Sequence, residues 1–399
     1  MKFCLPENIT SAIFLRDYWQ KKPLLIRNGL PQIVNMFQPE DIIELAQQED
    51  VTARLIKQFS DNDWQVKCSP LNTNDFKGLP EKWSVLVQNL EQWSTELGEL
   101  WGAFGFIPQW QRDDIMVSYA PKGGSVGKHY DEYDVFLVQG YGHRRWQLGK
   151  WCDPSTEFKA NQPIRIFDDM GELILDEVLG PGDVLYVPSR LSHYGVAEND
   201  CLTFSFGLRY PNMADLLENV NKVICQTLPD IATTELHIPL RLTPAEQETG
   251  KLDSVMVRTM KQQFLDQLAE SEQFEHLFEH AVATTVSSRR YDLLETEEYC
   301  DLDEVRSLLE ENSTIVQDNN CKLVYLENPL RLYANGEWLD ELNEIEAQVL
   351  KQLANGKRVD FAYLTSLCSQ TEEPETALDL FIDSLCNWID DGWVLLESL

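Results

Sequence analysis

The sequence predicts an α+β chain built around a central antiparallel β-sandwich or β-barrel. Two patterns carry this expectation. Between about Ile115 and Leu208 the apolar period is two, and short runs are separated by turns such as Pro121-Lys122-Gly123-Gly124 and Gly180-Pro181-Gly182-Asp183. On either side the period lengthens to that of helices, and from Asn212 to roughly Leu309 the chain is rich in Glu and Gln with almost no Gly.

Taken in order, Ser11 to Gln20 reads as a short amphipathic helix stopped before Pro23, followed by a buried strand at Leu24-Leu25-Ile26. A second helix is expected from Pro39, where proline suits the first helical position and Glu40 and Asp41 suit the helix dipole. A third is expected around Trp83 to Leu100, with Trp83, Leu86, Leu90 and Trp93 near one face. The strands of the central region are Ile115 to Ala120, Asp134 to Gln139, Arg145 to Leu148, Val184 to Val187 and Leu202 to Leu208. After the helical stretch, a hairpin turning at Asn335-Gly336 leads into two or three helices and a final Trp393-Val394-Leu395-Leu396 run.

The 399 residues carry 33 Lys and Arg against 66 Asp and Glu, a formal net charge of -33. Such a surface repels nucleic-acid phosphates and anionic lipid, and favours a basic protein as partner. The nine cysteines are scattered and contain no Cys-x-x-Cys pair, which argues against a disulfide framework or a thiolate zinc site and for a reducing compartment, most simply cytoplasm. The Met1-Lys2-Phe3-Cys4-Leu5 start offers no apolar stretch for a signal peptide, and no uncharged run reaches the roughly 20 residues of a membrane span. A soluble cytoplasmic chain, without membrane or direct nucleic-acid binding, is therefore expected.

His129-Tyr130-Asp131 places an imidazole and a carboxylate at i and i+2, on one face of an extended strand, and His193 follows the turn after the Val184 to Val187 strand. Two histidines and one carboxylate are the ligand set that leaves open positions on a ferrous ion. A single His-x-Asp is expected by chance in so acidic a chain, and alone it reads as a satisfied histidine. Its context raises its standing. Gly123, Gly124 and Gly127 precede His129, and Pro181-Gly182-Asp183-Val184-Leu185-Tyr186-Val187-Pro188 precedes His193.

The pattern Gly-Gly-x-x-Gly-x-His-x-Asp-x-Tyr-Asp-Val-Phe, then Gly-x-x-Arg-Trp, then Pro-Gly-Asp-x-Leu-Tyr-x-Pro-x-x-x-x-His resembles that of the JmjC-type ribosomal oxygenases. The likeness extends to Tyr18-Trp19-Gln20-Lys21-Lys22-Pro23-Leu24, to Asp113-Asp114-Ile115-Met116-Val117-Ser118 and to the acidic C-terminal third, and so covers essentially the whole chain. The resemblance implies a double-stranded β-helix (cupin or JmjC jelly-roll) catalytic domain over 1–211, a helical dimerisation domain over 212–309 and a winged-helix-like domain over 310–399. It implies Fe(II) held by His129, Asp131 and His193, 2-oxoglutarate as co-substrate with Arg144 on its distal carboxylate, a homodimer, and a basic ribosomal protein of the large subunit as substrate. The reaction it implies is Cβ hydroxylation of an arginine. A histidine hydroxylase and a non-catalytic cupin-like binding protein stand as alternatives, the latter disfavoured because all four site residues are present. Where the family has an asparagine late in the barrel this chain has Thr203, which leaves a secondary polar contact there unassigned.

Several residues have plainer readings. Arg145 competes with Arg144, since neighbours in a strand face opposite ways and only one can enter the barrel. His276 and His280 have i, i+4 spacing but lack the glutamate of a His-Glu-x-x-His zinc site, and read as a surface or interface helix. The Gly123 to Gly127 run lacks the Lys-Ser/Thr of a phosphate loop and reads as a turn, Trp83, Trp93 and Trp101 read as core, and His143 as a rim residue. From Asp340 to Leu399 three basic residues face thirteen acidic ones, a balance of 3 - 13 = -10, which points to protein contact rather than DNA. Asp113, Asp114, Glu132 and Asp134 are the acids near the metal motif that could meet a guanidinium.

Overall fold

In the computed structural model, which describes residues 2–227, 254–289 and 300–398, helix α1 spans Ser11–Asp17, capped by the Thr10 hydroxyl on the Ile13 N–H. Helix α2, Pro39–Leu45, starts at its proline and is closed by a capping box between Gln38 and Asp41. Helix α3 is only Thr95–Glu99. The expected helix from Trp83 is corrected to a strand over Lys82–Val87. Its apolar residues alternate between two layers: Val85 and Val87 join the main core while Leu86 packs with Ile56, Trp64 and Ile166. Pairing to strands on both sides overrides the apparent helical spacing.

The strands are β1 Leu24–Ile26, β2 Ala53–Ser60, β3 Asp63–Cys68, β4 Lys82–Val87, β5 Arg112–Ala120, β6 Asp134–Tyr141, β7 Arg144–Trp151, β8 Leu175–Leu179, β9 Val184–Val187, β10 Leu191–Ala197 and β11 Cys201–Leu208. They form an eight-stranded sheet, β1-β9-β6-β11-β5-β4-β2-β3, and a three-stranded sheet, β10-β7-β8. The adjacent strands are antiparallel. Period-two alternation explains the layers. Phe136, Phe204 and Phe206 leave the large sheet on the side of α1 and join Phe14 and Phe104 in the main core. Their neighbours Val135 and Leu137 point the other way and meet Trp146, Leu148, Leu179 and Leu191 of the small sheet. The space between the sheets is the barrel interior.

The chain divides into two compact units, the first comprising residues up to Tyr210 together with Asp318–Asn320, the second beginning at Pro211. In the second, α4 (Met213–Lys222) and α5 (Ser254–Glu270) precede α6 (Glu272–Ser287) and α7 (Leu302–Glu310). Val223, just beyond α4, packs on Leu277 and Ala281 of α6. The parts of the expected helical stretch at 228–253 and 290–299 lie outside the described residues. Beyond α7 come β12 Ser313–Gln317, β13 Leu323–Leu326, β14 Arg331–Ala334 and β15 Glu337–Leu339, then α8 Glu344–Ala354, α9 Phe361–Cys368, α10 Pro374–Asp390 and β16 Val394–Ser398. The expected hairpin turn is present, with Asn335 and Gly336 at φ 48° and 91°, the left-handed pair that a tight hairpin needs. The final apolar run is a strand, β16, paired with β12.

Candidate metal centre and co-substrate pocket

Gly127 sits at φ 88°, and a Cβ there would lie 2.5 Å from the Ile166 side chain, so this turn requires glycine. It delivers His129 to the edge of β10, where His129 and His193 exchange both backbone hydrogen bonds, at 3.1 and 2.8 Å. Asp131 is anchored in turn by its carbonyl, which accepts from the Arg190 N–H at 2.7 Å.

One ligand atom from each of His129, Asp131 and His193 lies within 4.8 Å of the others. His129 Nδ1 is 3.0 Å from the Gly127 carbonyl and His193 Nδ1 is 3.0 Å from the Leu191 carbonyl. A carbonyl can only accept, so each Nδ1 carries the proton and each Nε2 presents a lone pair. Both Nε2 atoms face Asp131 Oδ2, at 4.0 and 3.5 Å. Burial, reinforced by the neighbouring His129, pushes the His193 imidazole down to about 4, so it is neutral at physiological pH and ready to ligate.

Arg144 and Arg145 separate as strand geometry requires. Arg144 is 2% exposed and enters the barrel, whereas Arg145 is on the outside in an ion pair with Asp176 at 2.6 Å. Arg144 Nη1 donates to Ser118 Oγ at 2.8 Å and Thr203 Oγ1 at 3.3 Å, and the guanidinium lies over the Trp146 ring. Thr203 thus makes a polar contact at the position left unassigned from the sequence. Burial lowers the guanidinium's pKa, no carboxylate pairs with it among the described residues, and its Nε is buried without a hydrogen-bond partner. A buried cation with an open donor edge fits a carboxylate.

Three of the four acids near the motif have partners within the fold. Asp113 pairs with Arg209, Glu132 with Arg190 at 2.6 Å, and Asp134 accepts from the Tyr186 hydroxyl at 2.6 Å. Asp114 accepts one long bond, 3.5 Å from the Asn89 N–H, and burial followed by the charge of Asp113 raises its carboxyl to about 7. His143 is exposed on the turn before β7, as a rim residue. His276 is exposed beside Glu279, but His280 departs from the surface reading, being buried with Nδ1 2.7 Å from the Tyr333 hydroxyl. Neither belongs to a group of possible metal ligands among the described residues. Trp101 is core, Trp83 is half-buried and Trp93 is exposed. Sequence reasoning passed over Ser118 and Gln139. Their signal is a polar residue at an inward register position of an otherwise apolar strand.

Beside the site, Tyr130 stacks on Phe158 with ring centroids 5.7 Å apart. Phe158 lines a groove of about 610 Å³ together with Trp151, Phe167, Asp153, Glu157 and Asp168.

A barrel holding two histidines and one carboxylate has the ligand set of the non-haem Fe(II) oxygenases, and a JmjC-domain family model matches residues 99–216 while a ROXA-like winged-helix model matches 263–393. The chain is 69% identical, over 99% of its length and 98% of the relative's, to a probable ribosomal oxygenase of Haemophilus influenzae. It is 30% identical to the ribosomal protein uL16 3-hydroxylase of Escherichia coli, over 82% of this chain and 84% of that one. The solved structure of a ribosomal oxygenase from Escherichia coli in complex with cobalt and 2-oxoglutarate superposes with a TM-score of 0.75 at 26% identity, covering 98% of this chain and 99% of that one. The chain belongs to the ribosomal oxygenase family, a family of JmjC oxygenases. No helix among the described residues is long and apolar enough to cross a membrane.

Proposed function

We propose that this chain is an Fe(II)- and 2-oxoglutarate-dependent hydroxylase that acts on Cβ of an arginine in a large-subunit ribosomal protein, with His129, Asp131 and His193 as metal ligands and Arg144 as the co-substrate anchor. The observation that carries the reading is the pairing, in one barrel, of a two-histidine, one-carboxylate cluster with a buried arginine that has no carboxylate partner among the described residues. Support for the substrate class comes from the relative that is a uL16 3-hydroxylase, and support for the co-substrate from the solved ribosomal oxygenase structure with cobalt and 2-oxoglutarate bound.

Iron bound at the three ligands, with 2-oxoglutarate and dioxygen, supplies the oxidising power that inserts one oxygen atom into a C–H bond while the keto acid leaves as succinate and carbon dioxide. The chain's own residues orient and exclude. The carbonyls of Gly127 and Leu191 fix the histidine tautomers, and Arg144 fixes one end of the co-substrate. The groove beside Tyr130 carries four acids against two lysines, Lys150 and Lys159, which pair with Asp169 and Asp168; Asp153 and Glu157 are left to meet a basic flank of the substrate chain, and the exposed Trp151 ring offers a cation–π contact. The three-part division at 211 and 309 is kept as the functional one, with residues 212–309 joining two copies and the acidic C-terminal region contacting protein rather than nucleic acid.

The test is succinate release coupled to a gain of one oxygen mass on a ribosomal peptide carrying both arginine and histidine, with Fe(II) and 2-oxoglutarate supplied. His193→Ala should abolish metal binding and turnover. Turnover by that variant at the wild-type rate would sink the ligand assignment, and oxygen found on histidine would replace the arginine reading.

A further inference from the structure

Polar side chains are costly between two apolar sheet faces unless they are paired, yet three adjacent strands of the large sheet place a row of them there. Gln139 on β6 is opposite Thr203 on β11, and Thr203 is opposite Ser118 on β5. They are 0%, 1% and 6% exposed. Arg144, reaching across from the small sheet, is what they meet.

The hydrogen bonds in this row have only one consistent direction. Gln139 Nε2 lies 2.7 Å from the Tyr141 carbonyl, which can only accept, so the amide is oriented with Oε1 toward Thr203. Thr203 Oγ1 must then donate to Oε1, at 3.0 Å, and its lone pairs are left for Arg144. Ser118 Oγ donates to the Thr203 carbonyl at 3.4 Å and likewise accepts from Arg144. Both hydrogens of Nη1 are therefore used by hydroxyls, and the guanidinium plane is fixed by its bond pair on one side and the Trp146 ring on the other. The opposite edge, Nε and Nη2, makes no hydrogen bond among the described residues.

We infer that Thr203, its hydroxyl directed by Gln139, is a positioning residue that acts with Ser118 to hold Arg144 Nη1, so that the arginine offers its Nε–Nη2 edge to the distal carboxylate of a bound 2-oxo dicarboxylate. The inference rests on the proposed function and adds to it the device that aims the arginine. A fork held this way meets a carboxylate in one plane with two parallel hydrogen bonds. Without the hydroxyls, Nη1 would lose two acceptors in a dry site and the guanidinium would rotate to find others.

The experiment is calorimetric titration of the full chain with 2-oxoglutarate, in the presence of Mn(II) as a non-turnover metal, for wild type, Thr203→Val, Thr203→Ser and Ser118→Ala. Valine keeps the shape and removes the acceptor, so binding should weaken by about tenfold or more, the worth of one charge-assisted hydrogen bond. Serine should restore it to within about threefold, and Ser118→Ala should resemble Thr203→Val. Mn(II) affinity should be unchanged throughout, and under turnover the variants should raise KM for 2-oxoglutarate more than they lower kcat. Wild-type affinity in Thr203→Val, failure of serine to rescue, or parallel loss of Mn(II) binding would each overturn the inference. A wild-type chain that binds Mn(II) but no 2-oxoglutarate would overturn the proposed function, and this inference with it.

Discussion

In an extended strand the side chains of Arg144 and Arg145 leave on opposite faces, and the register of β7 against β10 sets which one enters the barrel: Arg144 is opposite Ala197, and four residues further along the strand, on the same face, Leu148 is opposite His193. Removing one partner of a buried charged pair costs about 3 to 5 kcal/mol, so Arg144→Ala should weaken 2-oxoglutarate binding by at least a hundredfold and leave metal affinity intact. Arg145→Ala, which loses only a surface ion pair, should change it less than about twofold. Calorimetry on the two variants decides, and the reverse ranking would refute the inward assignment. Asp114 gives a pH prediction. Its folded pKa is raised from the ordinary 3.8 to about 7, so between those values the folded chain holds a proton that the unfolded chain has released. The stability this contributes is fully present below about pH 4 and is lost as pH rises through 7, at a slope of up to about 1.4 kcal/mol per pH unit. Asp114→Asn keeps an acceptor for the Asn89 N–H and cannot titrate. Denaturant melts from pH 5 to 8 should show the wild type losing stability relative to this variant as pH rises, and parallel curves would refute the titration.

At the scale of elements, turns and caps were legible because their chemistry is local. Pro39 starting α2 and Asn335-Gly336 as a hairpin turn each follow from one or two residues. The strand at Trp83 was not legible as one, since its pairing with β2 and β5 joins segments about thirty residues apart and leaves no local trace. Strands β2, β3, β8 and β10 escaped for a similar reason. Strand β8 is a largely exposed edge, while β10 carries Ser192, His193 and Gly195 where an apolar run would be looked for. At the site, the clustering of His129, Asp131 and His193 could be anticipated because histidine is rare in this chain, whereas Ser118 and Gln139 are common residue types that gain meaning only from register. The Gly127 turn tests how tightly an element positions the site. Gly127→Ala would place a methyl against Ile166 in a backbone conformation that costs an L-residue about 1 to 2 kcal/mol before the clash is counted. Thermal unfolding should show a loss of at least that size, and metal affinity should fall with it because His129 is two residues away. A variant with unchanged melting and unchanged metal binding would show that this turn is free to move.

For the molecule as a whole, two features invite association, one apolar and one electrostatic. Helix α4 leaves Met213 72% and Leu217 62% exposed, and α5 exposes Val255, Phe264 and Leu265. Side chains of this size at this exposure on an acidic chain favour burial against a protein partner. If residues 212–309 join two copies as proposed, light scattering at micromolar concentration should give twice the chain mass, and Leu217→Glu with Phe264→Glu should reduce it to one chain without loss of 2-oxoglutarate binding. A monomeric wild type would end the dimer proposal. The net charge of -33 acts on a different quantity. At 0.1 M ionic strength the field extends about 10 Å, so a basic protein substrate of the kind proposed would be drawn in with a raised encounter rate, while an enclosed co-substrate would be shielded. Raising salt from about 0.05 to 0.5 M, which shortens that range several-fold, should therefore weaken apparent affinity for the basic substrate steeply and affinity for 2-oxoglutarate far less. The dianionic co-substrate supplies the internal control, because long-range repulsion from the same surface would make its binding tighten with salt, whereas local recognition by Arg144 leaves it nearly level. Titrations of both constants across the same salt series distinguish these outcomes, and equal sensitivity of the two would remove the steering argument.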